Sequence, residues 1–138
     1  MMIFNKKKTK SDSFNLIKIG ALLVHAAKID EKYSKKEEEI IKRTLLDLGA
    51  NPDELEILIT KAKQSDEKSN QILDFTREIK NLQETDKIKI IKSLWRIIYS
   101  DKDADMYETN LMRRLSGLLY VDSKTMGDIK EQIKKENS

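Results

Sequence analysis

Apolar residues fall at helical spacing along nearly the whole chain, and the segments differ in how wide an apolar face they present. After the cap-type residues Ser11, Asp12 and Ser13, positions Leu16, Ile17, Ile19, Leu22, Leu23, Val24, Ala26, Ala27 and Ile29 are too dense for a single stripe, which predicts a helix buried on most sides. Ser34 followed by Glu37 is a capping box ahead of Ile40, Ile41, Leu45, Leu46 and Leu48, and Gly49 closes that second helix. Asn51 and Pro52 are a cap and a first-turn residue for a third helix carrying Leu55, Leu58, Ile59 and Ala62. The polar stretch 65–70 reads as a connection, and Ile72, Leu73, Phe75, Ile79 and Leu82 mark a fourth helix. A fifth begins near Glu84 and is apolar almost all round through Tyr99, which predicts a core partner for the first. Asp105 with Glu108 starts a sixth, and Asp122 or Ser123 caps a seventh bearing Met126, Ile129 and Ile133. No window alternates in the manner of a strand. The expectation is an all-α fold of about seven helices in one compact bundle.

The order of these signals repeats. Setting Asp30 against Asp101 gives an offset of 71 residues (101 − 30), which also pairs Glu37 with Glu108, Ile40 with Leu111, Arg43 with Arg114, Leu48 with Leu119, Leu55 with Met126 and His25 with Arg96. The separation is too long for a solenoid period. A pseudo-twofold internal duplication follows, with half-repeats at about 16–64 and 86–135 inside a single domain of residues 12–138, preceded by a basic tail at 1–11.

Composition narrows the chemistry. With no Cys and a single His among 138 residues, thiol nucleophiles, disulfides and histidine-rich zinc centres are excluded. His25 lies in an apolar run where an imidazole packs, and no nucleophile or Gly-rich phosphate loop accompanies it, so no catalytic residues are assigned and the chain reads as non-enzymatic. Lys plus Arg is 27 against 24 for Asp plus Glu, but Lys6, Lys7, Lys8 and Lys10 precede the first acid. Without those four the balance is 23 to 24, so the folded part offers no basic face for nucleic acid. The tail is either a solvated terminus or, through Met1 to Phe4 and its lysines, a peripheral contact with an anionic membrane. Polar residues stand where a secretory h-region would follow the lysines, and no apolar span is long enough to cross a bilayer. The expected location is the cytosol, at most peripheral to the inner membrane.

The densest acidic feature is Asp101-Lys-Asp-Ala-Asp105 with Glu108. Asp101, Asp103, Asp105 and Glu108 are candidate oxygen ligands for a divalent cation such as Ca²⁺, Mg²⁺ or Mn²⁺. It is not an EF-hand: counting from Asp101, the sixth position is Met106 in place of Gly and the twelfth is Met112 in place of Glu. Helix capping accounts for Asp105 and Glu108 without an ion, but leaves Asp101 and Asp103 without a structural reason. The earlier turn, with Asp30 and Glu37, is the weaker second candidate because Lys32 and Ser34 replace two of its acids.

Leu22-Leu-Val-His-Ala-Ala-Lys-Ile-Asp30 with Ser34 and Glu37, then Leu94-Trp-Arg-Ile-Ile-Tyr-Ser-Asp101 with Asp105, Tyr107, Glu108, Asn110, Leu111, Leu118 and Leu119, resembles the tellurite-resistance protein TerB family, in its short stand-alone branch. The resemblance spans about Leu16 to Ile133. It implies an all-helical pseudo-twofold domain without enzymatic activity, tied to tellurite and other stress resistance, to divalent-metal binding through clustered acids and to assemblies at the inner face of the membrane; a related domain is attached to a J-domain co-chaperone. The family's acids match Asp30 and Glu37 in the first copy and Asp101, Asp105 and Glu108 in the second. The sequence departs from the family after the first aspartate of each turn, where Glu31 and Lys102 replace the common Gly. The leading functional expectation is a TerB-like module that binds an ion or a protein partner through its acidic turns. The alternative is a ligand-free interaction or homodimerisation scaffold at the inner membrane surface, for which Trp95, Tyr99, Tyr107 and Tyr120 are the candidate contact residues.

Overall fold

The computed structural model describes residues 10–29, 33–68, 72–101 and 106–136. Among them are seven α-helices and no strand: α1 (Lys10–Ala27), α2 (Lys35–Asp47), α3 (Leu55–Lys68), α4 (Leu73–Ile79), α5 (Glu84–Ile98), α6 (Met106–Leu118) and α7 (Ser123–Glu136). Short 3-10 turns, Pro52–Glu54 and Tyr99–Asp101, lead into α3 and out of α5. The all-α expectation holds. The basic tail falls outside the described residues for Lys6, Lys7 and Lys8; of Lys10 only the backbone, at the start of α1, is described.

Local chemistry places most boundaries. Ser34 caps α2: its Oγ accepts from Glu37 N–H at 3.1 Å, and the Glu37 carboxylate accepts from Ser34 N–H at 2.8 Å, so two orphan donors are satisfied reciprocally. Asn51 Oδ1 accepts from Asp53 N–H at 2.9 Å, and Asp122 Oδ1 accepts from Thr125 N–H at 2.7 Å ahead of α7. Two boundaries differ from the sequence expectation. α1 begins at Lys10, so the Ser-Asp-Ser run lies within its first turns, where an acidic residue suits the positive end of the helix dipole. α3 continues to Lys68 through residues expected to form a connection, because Asp66 turns inward to partners on and just after α1.

The C-termini of α2 and α6 use one hydrogen-bond pattern. Gly49 N–H donates to Leu46 O at 3.0 Å and Ala50 N–H to Leu45 O at 2.9 Å; Tyr120 N–H donates to Gly117 O at 3.3 Å and Val121 N–H to Ser116 O at 3.0 Å. Both are Schellman closures with the left-handed residue in the same place, φ 106° at Gly49 and φ 58° at Tyr120. The two turns stand 71 residues apart (120 − 49).

The core gathers around α1 and α5. Leu22, Leu23 and Val24 of α1 and Ile90, Ile91 and Leu94 of α5 are fully buried, together with Ile41 and Leu45 of α2, Phe75 and Ile79 of α4, and Leu115 of α6. Burying each such large side chain contributes roughly 1.5–3 kcal/mol. As expected, α1 and α5 pack on each other, but α1 shares a more extensive interface with α3. The reason is Gly20: a Cβ built there would stand 2.9 Å from Ala62 Cβ, so the missing side chain lets the two backbones approach. α2 is held on α5 by a buried hydroxyl pair, Thr44 and Ser93. Thr44 Oγ1 donates to Ile40 O at 2.8 Å, which uses its single proton, so Ser93 is the donor within the pair.

Candidate functional site

α5 delivers the second acidic turn from the core. Its last residues, Trp95, Ile97, Ile98 and Tyr99, are buried, and Ser100 Oγ donates to Ile97 O at 2.7 Å as the chain tightens into the 3-10 turn that ends at Asp101. Asp103 and Asp105 lie outside the described residues, as do the side chains of Asp101 and Glu108. In the earlier turn Asp30 is also outside them, whereas Glu37 is buried with one carboxylate oxygen engaged by Ser34 N–H. Among the described residues no group of three or more His, Asp or Glu side chains stands together as an ion site.

His25 has a defined partner that its sequence surroundings did not reveal. Its Nδ1 is 3.1 Å from Oδ1 of Asp66, and Lys28 Nζ is 3.3 Å from Oδ2 of the same carboxylate. An ionised carboxylate only accepts, so the imidazole proton sits on Nδ1. Asp66 is 8% exposed, and a carboxylate so enclosed needs partners to remain charged. The edge of the His25 ring meets Phe75, with ring centroids 6.3 Å apart.

The residue 71 positions on from His25 is Arg96, and it too binds an acid near the end of a later helix. Arg96 Nε and Nη2 donate to the two carboxylate oxygens of Glu136 at 3.1 and 3.0 Å. The bidentate guanidinium holds Glu136 below its ordinary carboxylate range. This pair borders a cleft of about 540 Å³ between α2, α5 and α7, where Lys36, Glu39, Arg43 and Asp47 complete a polar wall of mixed charge. The signal for this site was present in the His25–Arg96 correspondence, but the acids that answer them are not marked by any motif.

On the opposite face of α2, Glu38 joins α2 to α3. Lys63 Nζ lies 2.9 Å from Glu38, and Lys42 reaches both Glu38 at 3.5 Å and Glu56 at 2.7 Å. The hydrogen bond from Lys63 is the main reason the Glu38 carboxyl titrates below its usual range. Lys63 also stands 4.8 Å from the centre of the Tyr33 ring, and burial followed by the Glu38 charge pushes the Tyr33 phenol upward.

Of the four aromatic residues expected as contact candidates, Trp95 and Tyr99 are buried and stacked on each other, with centroids 5.8 Å apart. The Tyr107 side chain lies outside the described residues. Tyr120 is 69% exposed, with Lys80 and Lys87 ammonium groups 5.7 and 5.9 Å from its ring centre. The Trp95 indole N–H is buried and finds no acceptor among the described residues, an omission that costs on the order of 1–3 kcal/mol.

Among the described residues no helix is long and apolar enough to cross a membrane. No curated protein and no solved structure matches the chain. A family match does extend over both acidic turns and all of α2 to α6: residues 16–131 match the tellurite resistance protein TerB family, and the chain belongs to it.

Proposed function

We propose that this chain is a non-enzymatic, tellurite-resistance-associated recognition module that works through the turn from Asp101 to Glu108, holding either a divalent cation or a basic segment of a protein partner. One observation carries the reading: the turn issues from α5, whose final residues are locked in the core, so its carboxylates are mounted on a rigid base. The family match encloses the turn. The single histidine is engaged by Asp66, which speaks for recognition in place of turnover. The module is built from two related halves, a reading supported by the shared Schellman closures at Gly49 and Tyr120 and by the matching His25–Asp66 and Arg96–Glu136 pairs.

Thermal unfolding in Ca²⁺, Mg²⁺ or Mn²⁺ tests the ion form, because an ion that binds only the folded chain stabilises it by RT ln(1 + [L]/Kd). The expected result is a rise in Tm that disappears in an Asp101→Asn, Asp105→Asn double variant. An unchanged Tm with all three ions discards the cation and leaves the basic partner, to be sought with a lysine-rich peptide; failure of both would overturn the assignment of this turn. A second reading, an interaction or dimerisation scaffold, rests on exposed Tyr120 and is tested by the oligomeric state of Tyr120→Ala in light scattering.

A further inference from the structure

A second hollow lies away from the acidic turn, between α5, α6 and α7, with a volume of about 220 Å³. Trp95, Met112 and Met126 give it an apolar floor, and Gly127 opens it: a Cβ added there would meet nothing within 4 Å. Arg113 and Lys130 stand at its edge, and Lys130 Nζ is 5.4 Å from the centre of the Trp95 indole. Neither cation has a carboxylate partner among the described residues. The neighbouring acids of α7 are engaged elsewhere: Asp122 accepts from Thr125 N–H, Asp128 is held by Lys124 at 3.0 Å, and Glu136 by Arg96. Trp95 adds a buried N–H donor that has no acceptor among the described residues.

We propose that this hollow is a binding site for a small aromatic carboxylate. Two cations without counter-charges and an unanswered indole donor select an anion. The thioethers and the indole face select a flat apolar body. A cavity of about 150 Å³ is enough for benzene, so this one accommodates a single ring with a short acidic substituent. The site uses no residue of the acidic turn, and its fate is independent of the ion or partner bound there.

Trp95 is the only tryptophan, so its indole N–H gives a single resonance in a ¹H–¹⁵N spectrum of the full chain. Titration with phenylacetate is expected to shift that resonance saturably. Phenylacetamide, the neutral analogue, and the Lys130→Gln variant titrated with phenylacetate are each expected to bind about tenfold more weakly. Gly127→Leu, which fills the hollow, is expected to abolish the shift without lowering Tm. Absence of a saturable shift with phenylacetate, equal affinity for phenylacetamide, or undiminished binding in the well-folded Lys130→Gln protein would each overturn the proposal.

Discussion

The imidazole of His25 and the carboxylate of Asp66 meet 3.1 Å apart although 41 residues separate them in sequence. This pair, with Lys28 on the second carboxylate oxygen, ties the end of α1 to the end of α3. In the second half of the chain the equivalent of His25 is Arg96, which ties α5 to the end of α7 through Glu136.

The two ties differ in value because their surroundings differ. Asp66 is buried, so Asp66→Ala removes hydrogen bonds made inside the protein and is expected to lower stability by about 1–2 kcal/mol. The Arg96–Glu136 pair is about two-fifths exposed on both sides, and Arg96→Gln is expected to cost at most about 1 kcal/mol, less still in high salt. Urea unfolding of both variants at low and high ionic strength checks the contrast.

Two glycines within helices are expected to respond oppositely to the same substitution. Gly20→Ala drives a methyl to within 2.9 Å of Ala62 and is expected to destabilise by about 1–3 kcal/mol. An Ala62→Gly change in the same chain is expected to recover part of that loss, visible as coupling in a double-mutant cycle. Gly127→Ala meets open space on α7 and is expected to stabilise by about 0.5–1 kcal/mol.

Tyr120 holds a backbone conformation that Gly49 adopts without strain in the matching turn. Tyr120→Gly is therefore expected to raise stability by up to about 1 kcal/mol, offset in part by the lost contact with Lys80 and Lys87. Gly49→Ala is expected to lower it by about 1 kcal/mol. Thermal melts that show both variants moving in one direction would remove the backbone explanation.

Acid should loosen the α2–α3 contact. The Glu38 carboxyl is held below its ordinary range in the folded chain, chiefly by Lys63, so the unfolded chain takes up a proton first as pH falls. The stabilisation is present above the ordinary glutamate value of about 4.3 and is lost as pH drops through the lower folded value. Glu38→Gln is expected to flatten the dependence of stability on pH in that acid window while changing little near neutrality. An unchanged slope would show that Lys63 gives Glu38 no differential stabilisation.

The helices and their caps were legible because the signals are local: Ser34 with Glu37, Gly49, Asn51 and Asp122 each act within a few residues. The end of α3 was not, since Asp66 reads as a connection residue until its partners on the other side of α1's terminus are known. The acids of the second turn are conspicuous in sequence, but only the approach to them, through Trp95 to Ser100, is described in three dimensions. The hollow beside Trp95 was illegible for a different reason. Periodicity places Trp95, Met112 and Met126 in the interior, yet the space that remains among them depends on how far α6 and α7 stand apart at Gly127, which no single segment encodes.

Thr44 and Ser93 give the seating of α2 on α5 a discrete index. Sliding α2 by one turn, about 5.4 Å, would carry each hydroxyl from its mate onto aliphatic neighbours and leave Ser93 with no receiver for its proton. Oily contacts alone tolerate such slippage with little change in free energy, whereas this alcohol couple admits one alignment. The mouth of the mixed-charge cleft, whose lining includes Thr44 itself and Arg96, is thereby kept at a fixed gauge.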